Sequence, residues 1–404
     1  MTEDGEQLRI GYFLLHYPRP DEPSGYFWGG SGESAAGLAE AMVELGHKVV
    51  VLASSPDHRS RERQLNGVTI VECATWWTLS QAKIAPSVLI RQFGFEFDIV
   101  HAHAASPPAD IAALLYARFR RVPLVVTFHG DPQADYGGAL RRASISFYNG
   151  WPLMLLLTQA DLLYVPSAGF VEDSTVLRKI HRPLFELPNG LRRNDLGLRL
   201  DKKVAKLQLG LSDRASVILY VGSLTPYKGP DCLLDAMRYV HDDIPDAVAI
   251  FVGDGPLRGW LGKQKDALGL TDVVRLEGYV SEKEKGTYFA AADLLVLPSR
   301  RAQEVFPIVI LEAFAAGLPV IVSDLKTFER FVEDGKNGLV APRDNPRVLA
   351  DEIIRLLSNS SLRLRLGEAG LTDSERYDWD RIAVSAETDY LRLLHKERTY
   401  GGRL

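Results

Sequence analysis

The chain is poor in cysteine: Cys73 and Cys232 are the only two in 404 residues. They fall in different expected domains, so a disulfide framework is not expected and both read as small core residues. Long apolar runs are missing too. No uninterrupted stretch reaches the roughly 18–20 residues of a membrane-spanning helix. There is no basic excess, since 47 Lys and Arg against 52 Asp and Glu leave a formal charge of -5. That balance argues against a nucleic-acid partner. The opening residues, MTEDGEQLRIG, are acidic and lack the apolar segment of a secretion signal, so a cytoplasmic location is expected. His101 and His103 are spaced as a metal-binding pair, but no third ligand is suggested nearby and no D-x-D motif is evident. Neither a metal nor a resident cofactor is expected.

Hydrophobic residues make up 46% of the chain and charged residues 25%, as in soluble globular proteins. A chain of 404 residues exceeds one ordinary core, so two domains are expected. β-type runs recur at Arg9–Leu15, Lys48–Ala53, Val68–Glu72, Asp98–His101, Pro123–Phe128 and Asp161–Val165. After a charge-rich connection at Leu191–Arg214 they resume at Ser216–Val221, Val248–Val252, Val273–Glu277, Leu294–Leu297, Pro319–Ser323 and Gly338–Ala341. Helical stretches separate them, including Glu33–Leu45 and a long one over Ala139–Leu157. Strands alternating with helices predict an α/β protein with parallel, doubly wound sheets.

The chemistry concentrates in Pro298–Gly317, PSRRAQEVFPIVILEAFAAG. Pro307 suits a first helical position and Gly317 the residue past the helix end. Between them Ile308–Ala316 is apolar on every side except at Glu312, the pattern of a buried helix. A lone carboxylate there needs a partner: a structural Arg, or a ligand hydroxyl. Glu304 lies eight positions earlier, in the loop that the free amides of the first turn point toward. Two carboxylates beside an anion-binding helix end suit a ligand with both hydroxyls and phosphates, such as a nucleotide sugar.

Other candidates sit at predicted strand ends. Gly30-Ser-Gly32-Glu-Ser-Ala35 fits the dinucleotide fingerprint G-x-G-x-x-A. A long loop separates it from the first strand, however, and no acidic residue ends the second. A nicotinamide-dependent oxidoreductase is therefore the weaker alternative. Gly29, Gly30 and Gly32 instead let backbone amides approach a diphosphate. Gly253-Asp254-Gly255 follows a strand but runs into Pro256. His129 ends a buried strand in Thr127-Phe-His-Gly-Asp131, and Lys228-Gly229 follows another.

The E-x7-E spacing of Glu304 and Glu312, between a strand and an apolar helix, resembles the mark of the retaining glycosyltransferases of GT-B fold, in particular family 4. The resemblance runs from Gly29 to Glu312. It implies two Rossmann-like domains facing an interdomain cleft: residues 1–190 on the acceptor side, residues 191–376 holding the donor, and a helix at about 377–404 crossing back. It implies metal-independent transfer of a hexose from a nucleotide diphosphate sugar with retention at the anomeric carbon. The sugar nucleotide is a co-substrate, and the acceptor is a saccharide, a lipid-linked molecule or a small hydroxyl compound. Catalytic roles fall to His129, Glu304 and Lys228. Donor contacts fall to Gly30, Ser223, Lys228, Gly253, Tyr279, Val280, Glu304, Phe306, Pro307, Ile308, Val309 and Glu312. The acceptor side takes Gly29, Gly32, His101 and His103. Pro188-Asn189-Gly190 resembles the turn at the domain junction.

Two departures stand out. Ser223 occupies a position where the family has Arg, which removes a charge and a bidentate fork. Arg300 or Arg301 is the expected substitute. Val305 stands where Gly is common, so a narrower sugar pocket is expected. The Ser223 departure also leaves room for an inactive, donor-binding partner subunit. The segment with Arg141, Arg142, Phe147, Tyr148, Trp151 and Leu153–Leu157 suits an anionic membrane surface, or a helix packed on the sheet. Trp76-Trp77 could stack on sugars. The sequence is silent on oligomeric state.

Overall fold

The computed structural model describes residues 6–18, 30–79, 82–104, 106–132, 139–196, 200–301 and 305–401. The chain divides into two compact units, Met1–Gly190 with Trp379–Leu404, and Leu191–Asp378. Each is a mixed α/β unit built on a mainly parallel sheet of Rossmann type.

The first unit contains β1 (Arg9–Leu14), β2 (Lys48–Ser54), β3 (Arg61–Leu65), β4 (Val68–Cys73), β5 (Trp77–Leu79), β6 (Ala82–Ile84), β7 (Ile99–His103), β8 (Leu124–Thr127), β9 (Leu162–Val165) and β10 (Phe185–Glu186). Eight of them form one sheet in the order β10-β9-β8-β7-β1-β2-β4-β3. The central strands β1, β7 and β8 are almost wholly buried and apolar, as strands covered on both faces must be. β3 is antiparallel to β4 and was not expected from its charged sequence. Its local signal is Asn66-Gly67, both at positive φ (49° and 80°), the two-residue turn that joins tight hairpins. The expected long helix at 139–157 is two helices, Ala139–Gly150 and Pro152–Gln159. Pro152 has no N–H to continue the first helix, so the chain breaks at Trp151.

The last helix, Trp379–Gly401, belongs to this first unit. Trp379 is its anchor. A Cβ at Gly37 or Gly190 would lie 2.3 or 2.4 Å from the indole, so only glycine permits this seat. His47 Nε2 to Glu387 at 3.0 Å and Tyr164 Oη to Asp389 at 2.8 Å fix the helix further along.

The second unit contains β11 (Ser216–Val221), β12 (Ala247–Val252), β13 (Val274–Gly278), β14 (Leu294–Leu297), β15 (Val320–Ser323) and β16 (Gly338–Ala341). All are parallel, in the order β13-β12-β11-β14-β15-β16. Leu191–Arg214, expected as a connection, is part of this unit. It holds a turn at Arg193–Leu196 and a helix at Lys202–Gln208. Its charges are used internally: Lys202 Nζ meets Asp293 at 2.6 Å, and buried Lys206 donates to the Ala215 carbonyl at 2.7 Å. Cys73 and Cys232 are both free and buried. Among the described residues no helix is long and apolar enough to cross a membrane.

Candidate active site

Strand order places the second unit's site. β11 neighbours both β12 and β14, and the chain leaves β11 in one direction and returns on its other side at β14. Loops diverge at such a switch point, leaving a crevice at the carboxyl ends of the strands. The loops that follow β11 and β14 are those carrying Lys228 and the E-x7-E stretch.

After β11 the chain passes Ser223 and a 3-10 turn, Pro226–Lys228, then enters the Pro230–Asp243 helix through Gly229 at φ 67°. A Cβ at Gly229 would fall 2.1 Å from the Pro298 carbonyl oxygen, so the two loops touch backbone to backbone. Arg300 locks them together. Its N–H donates to the Tyr227 carbonyl at 2.7 Å, and its guanidinium reaches Asp231 at 2.6 and 2.7 Å, the Pro226 carbonyl at 2.9 Å, and Asp344. The expectation that Arg300 replaces the missing Arg at Ser223 is therefore corrected. Two carboxylates already take its charge, and they hold its pKa above the ordinary value, Asp231 most strongly. Arg301 is exposed. Ser223 Oγ lies 3.3 Å from Thr225 Oγ1 and brings no charge. Lys228 is half-buried, with Nζ 5.9 Å from the Tyr227 ring centroid.

After β14 comes the Ile308–Ala315 helix. Pro307 is its N-cap residue rather than its first helical residue, and Gly317, at φ 69°, closes it with N–H bonds from Gly317 to Phe314 O and from Leu318 to Ala313 O. Phe306 packs edge-on to Phe331 at 4.7 Å, which sets the entry angle of the chain. Pro307 is buried; Ile308 and Val309, in the first turn, are half-buried. Glu304 lies outside the described residues. Glu312 is 5% exposed and accepts a hydrogen bond from Lys285 Nζ at 2.6 Å. The partner is a Lys, not the Arg that sequence reasoning suggested. Its signal was the capping box Ser281–Glu284, which starts the Glu282–Ala291 helix and turns Lys285, Tyr288 and Phe289 inward.

Two further strand ends, those of β12 and β13, lie beside the end of β11. Gly253 N–H donates to the Gly278 carbonyl at 2.7 Å, and a Cβ at Gly253 would lie 2.0 Å from the Gly222 carbonyl oxygen. Gly278 sits at φ 81°. Tyr279 beyond it is 54% exposed, and Val280 packs on the apolar core below.

In the first unit, the Gly30–Glu44 helix starts three residues earlier than expected, so Gly30, Ser31 and Gly32 form its first turn. Gly29 lies outside the described residues. Gly32 faces the chain leaving β1, where a Cβ would stand 3.3 Å from the His16 carbonyl oxygen. Asn189 is buried and accepts from Ser34 Oγ at 2.5 Å, tying the junction turn to that helix. His103 is the last residue of β7, and His129 follows β8 by two residues. Their rings stack and share a hydrogen bond of 2.8 Å. His101 is fully buried, with one nitrogen on Thr127 Oγ1 at 2.7 Å and the other on Tyr390 Oη at 2.6 Å. It has no face for a ligand, which corrects its placement on the acceptor side. Trp76 and Trp77 are exposed and meet edge to face at 6.3 Å.

Among the described residues no group of three or more His, Cys, Asp or Glu could hold a metal. The sequence does hold one D-x-D spacing, Asp378-Trp379-Asp380, which corrects the expectation that none is present; it lies at the boundary of the two units, with Asp378 paired to Arg193 at 3.4 Å.

Comparison with known proteins agrees with this architecture. Residues 29–190 match the family model of the glycosyl transferase 4-like domain, and residues 201–373 that of glycosyl transferases group 1. The phosphatidyl-myo-inositol mannosyltransferase of Mycobacterium leprae (strain TN) is 28% identical over 93% of this chain and 95% of its own. Two solved structures share the fold at 20% identity. Sucrose-phosphate synthase from Thermosynechococcus elongatus superposes with a TM-score of 0.75, covering 96% of this chain and 100% of its own. Anabaena HepE in complex with UDP-glucose gives 0.71, covering 95% and 99%. With both halves matched in order and two Rossmann-like units carrying the E-x7-E stretch, the chain belongs to the family 4 glycosyltransferases of GT-B fold.

Proposed function

We propose that this glycosyltransferase moves a hexose from a nucleotide diphosphate sugar, with retention and without a metal, to a saccharide or lipid-linked acceptor. The observation that carries the reading is the pairing at the β11/β14 switch point. The Lys228 turn and the amide end of the Ile308–Ala315 helix flank one crevice, and Arg300 ties the two loops together. Fixed positive potential of this kind stabilises a departing diphosphate without reorganising as the bond breaks. Glu304 is assigned to the sugar hydroxyls, Glu312 to the ribose diol, and Gly278–Val280 to the base. His129 is assigned to a donor hydroxyl. Support for the donor class comes from HepE, whose structure holds UDP-glucose, and for the lipid-linked acceptor from the name of the mycobacterial relative.

A panel of UDP-, GDP- and ADP-sugars tests this reading. One donor should release its nucleoside diphosphate in the presence of acceptor, equally well with EDTA, and proton NMR of the product should show the donor's anomeric configuration. Inverted product would sink retention. Binding without release across the whole panel would favour the inactive-subunit alternative, and loss of activity with EDTA would sink metal independence.

A membrane surface is also part of the proposal, and we assign it to a different helix from the one the sequence suggests. In the predicted segment only part of the face points outward: Phe147 and Trp151 are 69% and 66% exposed, while Tyr148, Leu153, Leu156 and Leu157 are buried. A fuller stripe runs along the Pro107–Arg120 helix, where Ile111, Leu115 and Phe119 repeat every four residues with exposures of 41%, 49% and 76%. Ile90, on the Val88–Arg91 helix that packs on this one, is also exposed, as are Arg118, Arg120 and Arg121 at the helix end. Apolar side chains flanked by arginine match an anionic lipid interface. Wild-type protein should float with anionic liposomes, and Phe119→Glu should float less. No flotation of the wild type would remove this part of the proposal.

A further inference from the structure

A column of three imidazoles stands in the first unit. His101 and His103 lie two apart on β7, on one face of the strand, with ring centroids 4.6 Å apart. His103 in turn lies 5.0 Å from His129 at an interplanar angle of 14°. His103 Nδ1 and His129 Nε2 are 2.8 Å apart, so one proton is shared between them. His103 is 3% exposed, and its other nitrogen, Nε2, has no hydrogen-bond partner among the described residues.

A neutral imidazole has one N–H and one bare nitrogen. Burial keeps both rings neutral at neutral pH, with the pKa of His129 pushed down to about 4 and that of His103 well below its ordinary value. Two arrangements remain. If His129 donated, the proton of His103 would sit on Nε2, leaving a buried N–H without an acceptor. If His103 donates, its buried Nε2 keeps only an unshared lone pair. Orphaned buried N–H groups are the rarer and costlier of the two. We infer that His103 is a positioning residue that fixes His129 as its Nδ1–H tautomer. His129 then presents an N–H donor at the carboxyl end of β8, suited to an acceptor oxygen on a sugar hydroxyl or a phosphate. This consequence rests on the assignment of His129 to the donor site; the tautomer itself does not.

Nitrogen-15 NMR of the labelled full chain at neutral pH tests the inference directly. His129 should show a pyrrole-type Nδ1 and a pyridine-type Nε2; the reverse assignment overturns the proposal. His103→Asn places an amide N–H where Nδ1–H was, and should keep both the tautomer and the donor KM. His103→Asp places an acceptor there, and should move the proton to His129 Nε2 and raise the donor KM about tenfold, the effect of one hydrogen bond. Equal losses in the two variants would reduce His103 to packing and sink the idea. If the wild-type tautomer is as stated but His129→Ala leaves the donor KM unchanged, the donor assignment of His129 fails and the tautomer stands.

Discussion

Glu312→Gln is expected to destabilise the second unit by about 3–5 kcal/mol, because it removes the carboxylate charge that faces the buried Lys285 ammonium. The two side chains are 7% and 10% exposed and meet at 2.6 Å, on helices that bury apolar faces around them. Lys285→Met should cost a similar amount for the opposite reason, since the buried carboxylate then loses the Lys285 ammonium. The double variant Glu312→Gln/Lys285→Met removes both charges, and should be more stable than either single one. The shift of the second unit's thermal transition reads all three. Donor binding then separates the two readings of Glu312. A carboxylate that holds the ribose diol cannot be replaced by restoring stability, so the double variant should still bind the nucleotide diphosphate weakly. Recovery of affinity together with stability would make Glu312 a structural residue only.

Lys228→Ala should lower kcat/KM by about 10²–10³, the range seen when one fixed donor to a developing charge is removed. The basis is local. Ser223 contributes no charge, and Arg300, the nearest substitute, is held by Asp231 and Asp344. Lys228 is thus assigned the main share of the diphosphate charge at this turn. It is half-buried in a turn, so the same change should move stability by no more than about 0.5 kcal/mol. Lys228→Arg should retain part of the activity, because it keeps the charge but not the compact ammonium. Unchanged kcat/KM in Lys228→Ala would remove the turn from the reaction.

Much of the fold was legible because the information is local. β14 and the helix after it are one apolar run, a break and a second apolar run, stopped by Gly317. The elements that sequence reasoning misplaced are those whose polarity hides their burial. β3 reads as charged because it is an edge strand, and its hairpin signal is only Asn66-Gly67. Leu191–Arg214 reads as a linker because it is rich in charge and poor in apolar periodicity, yet Lys206 is buried with its ammonium on a backbone carbonyl. His101 was picked with His103 because both occupy the same motif. Only the partners distinguish them: Thr127 and Tyr390 close off one ring, while His103 reaches His129.

The sequence by itself determined the alternation of strands and helices, the spacing of Glu304 and Glu312, and the glycines that allow close backbone approach, since each depends on neighbours within a few residues. Tertiary structure alone decided which groups meet: Lys285 with Glu312 across 27 residues, Arg300 with Asp231 across 69, and His101 with Tyr390 across 289. Such contacts leave no period in the chain, because a buried polar group selects its partner by position in space and by the cost of remaining unpaired.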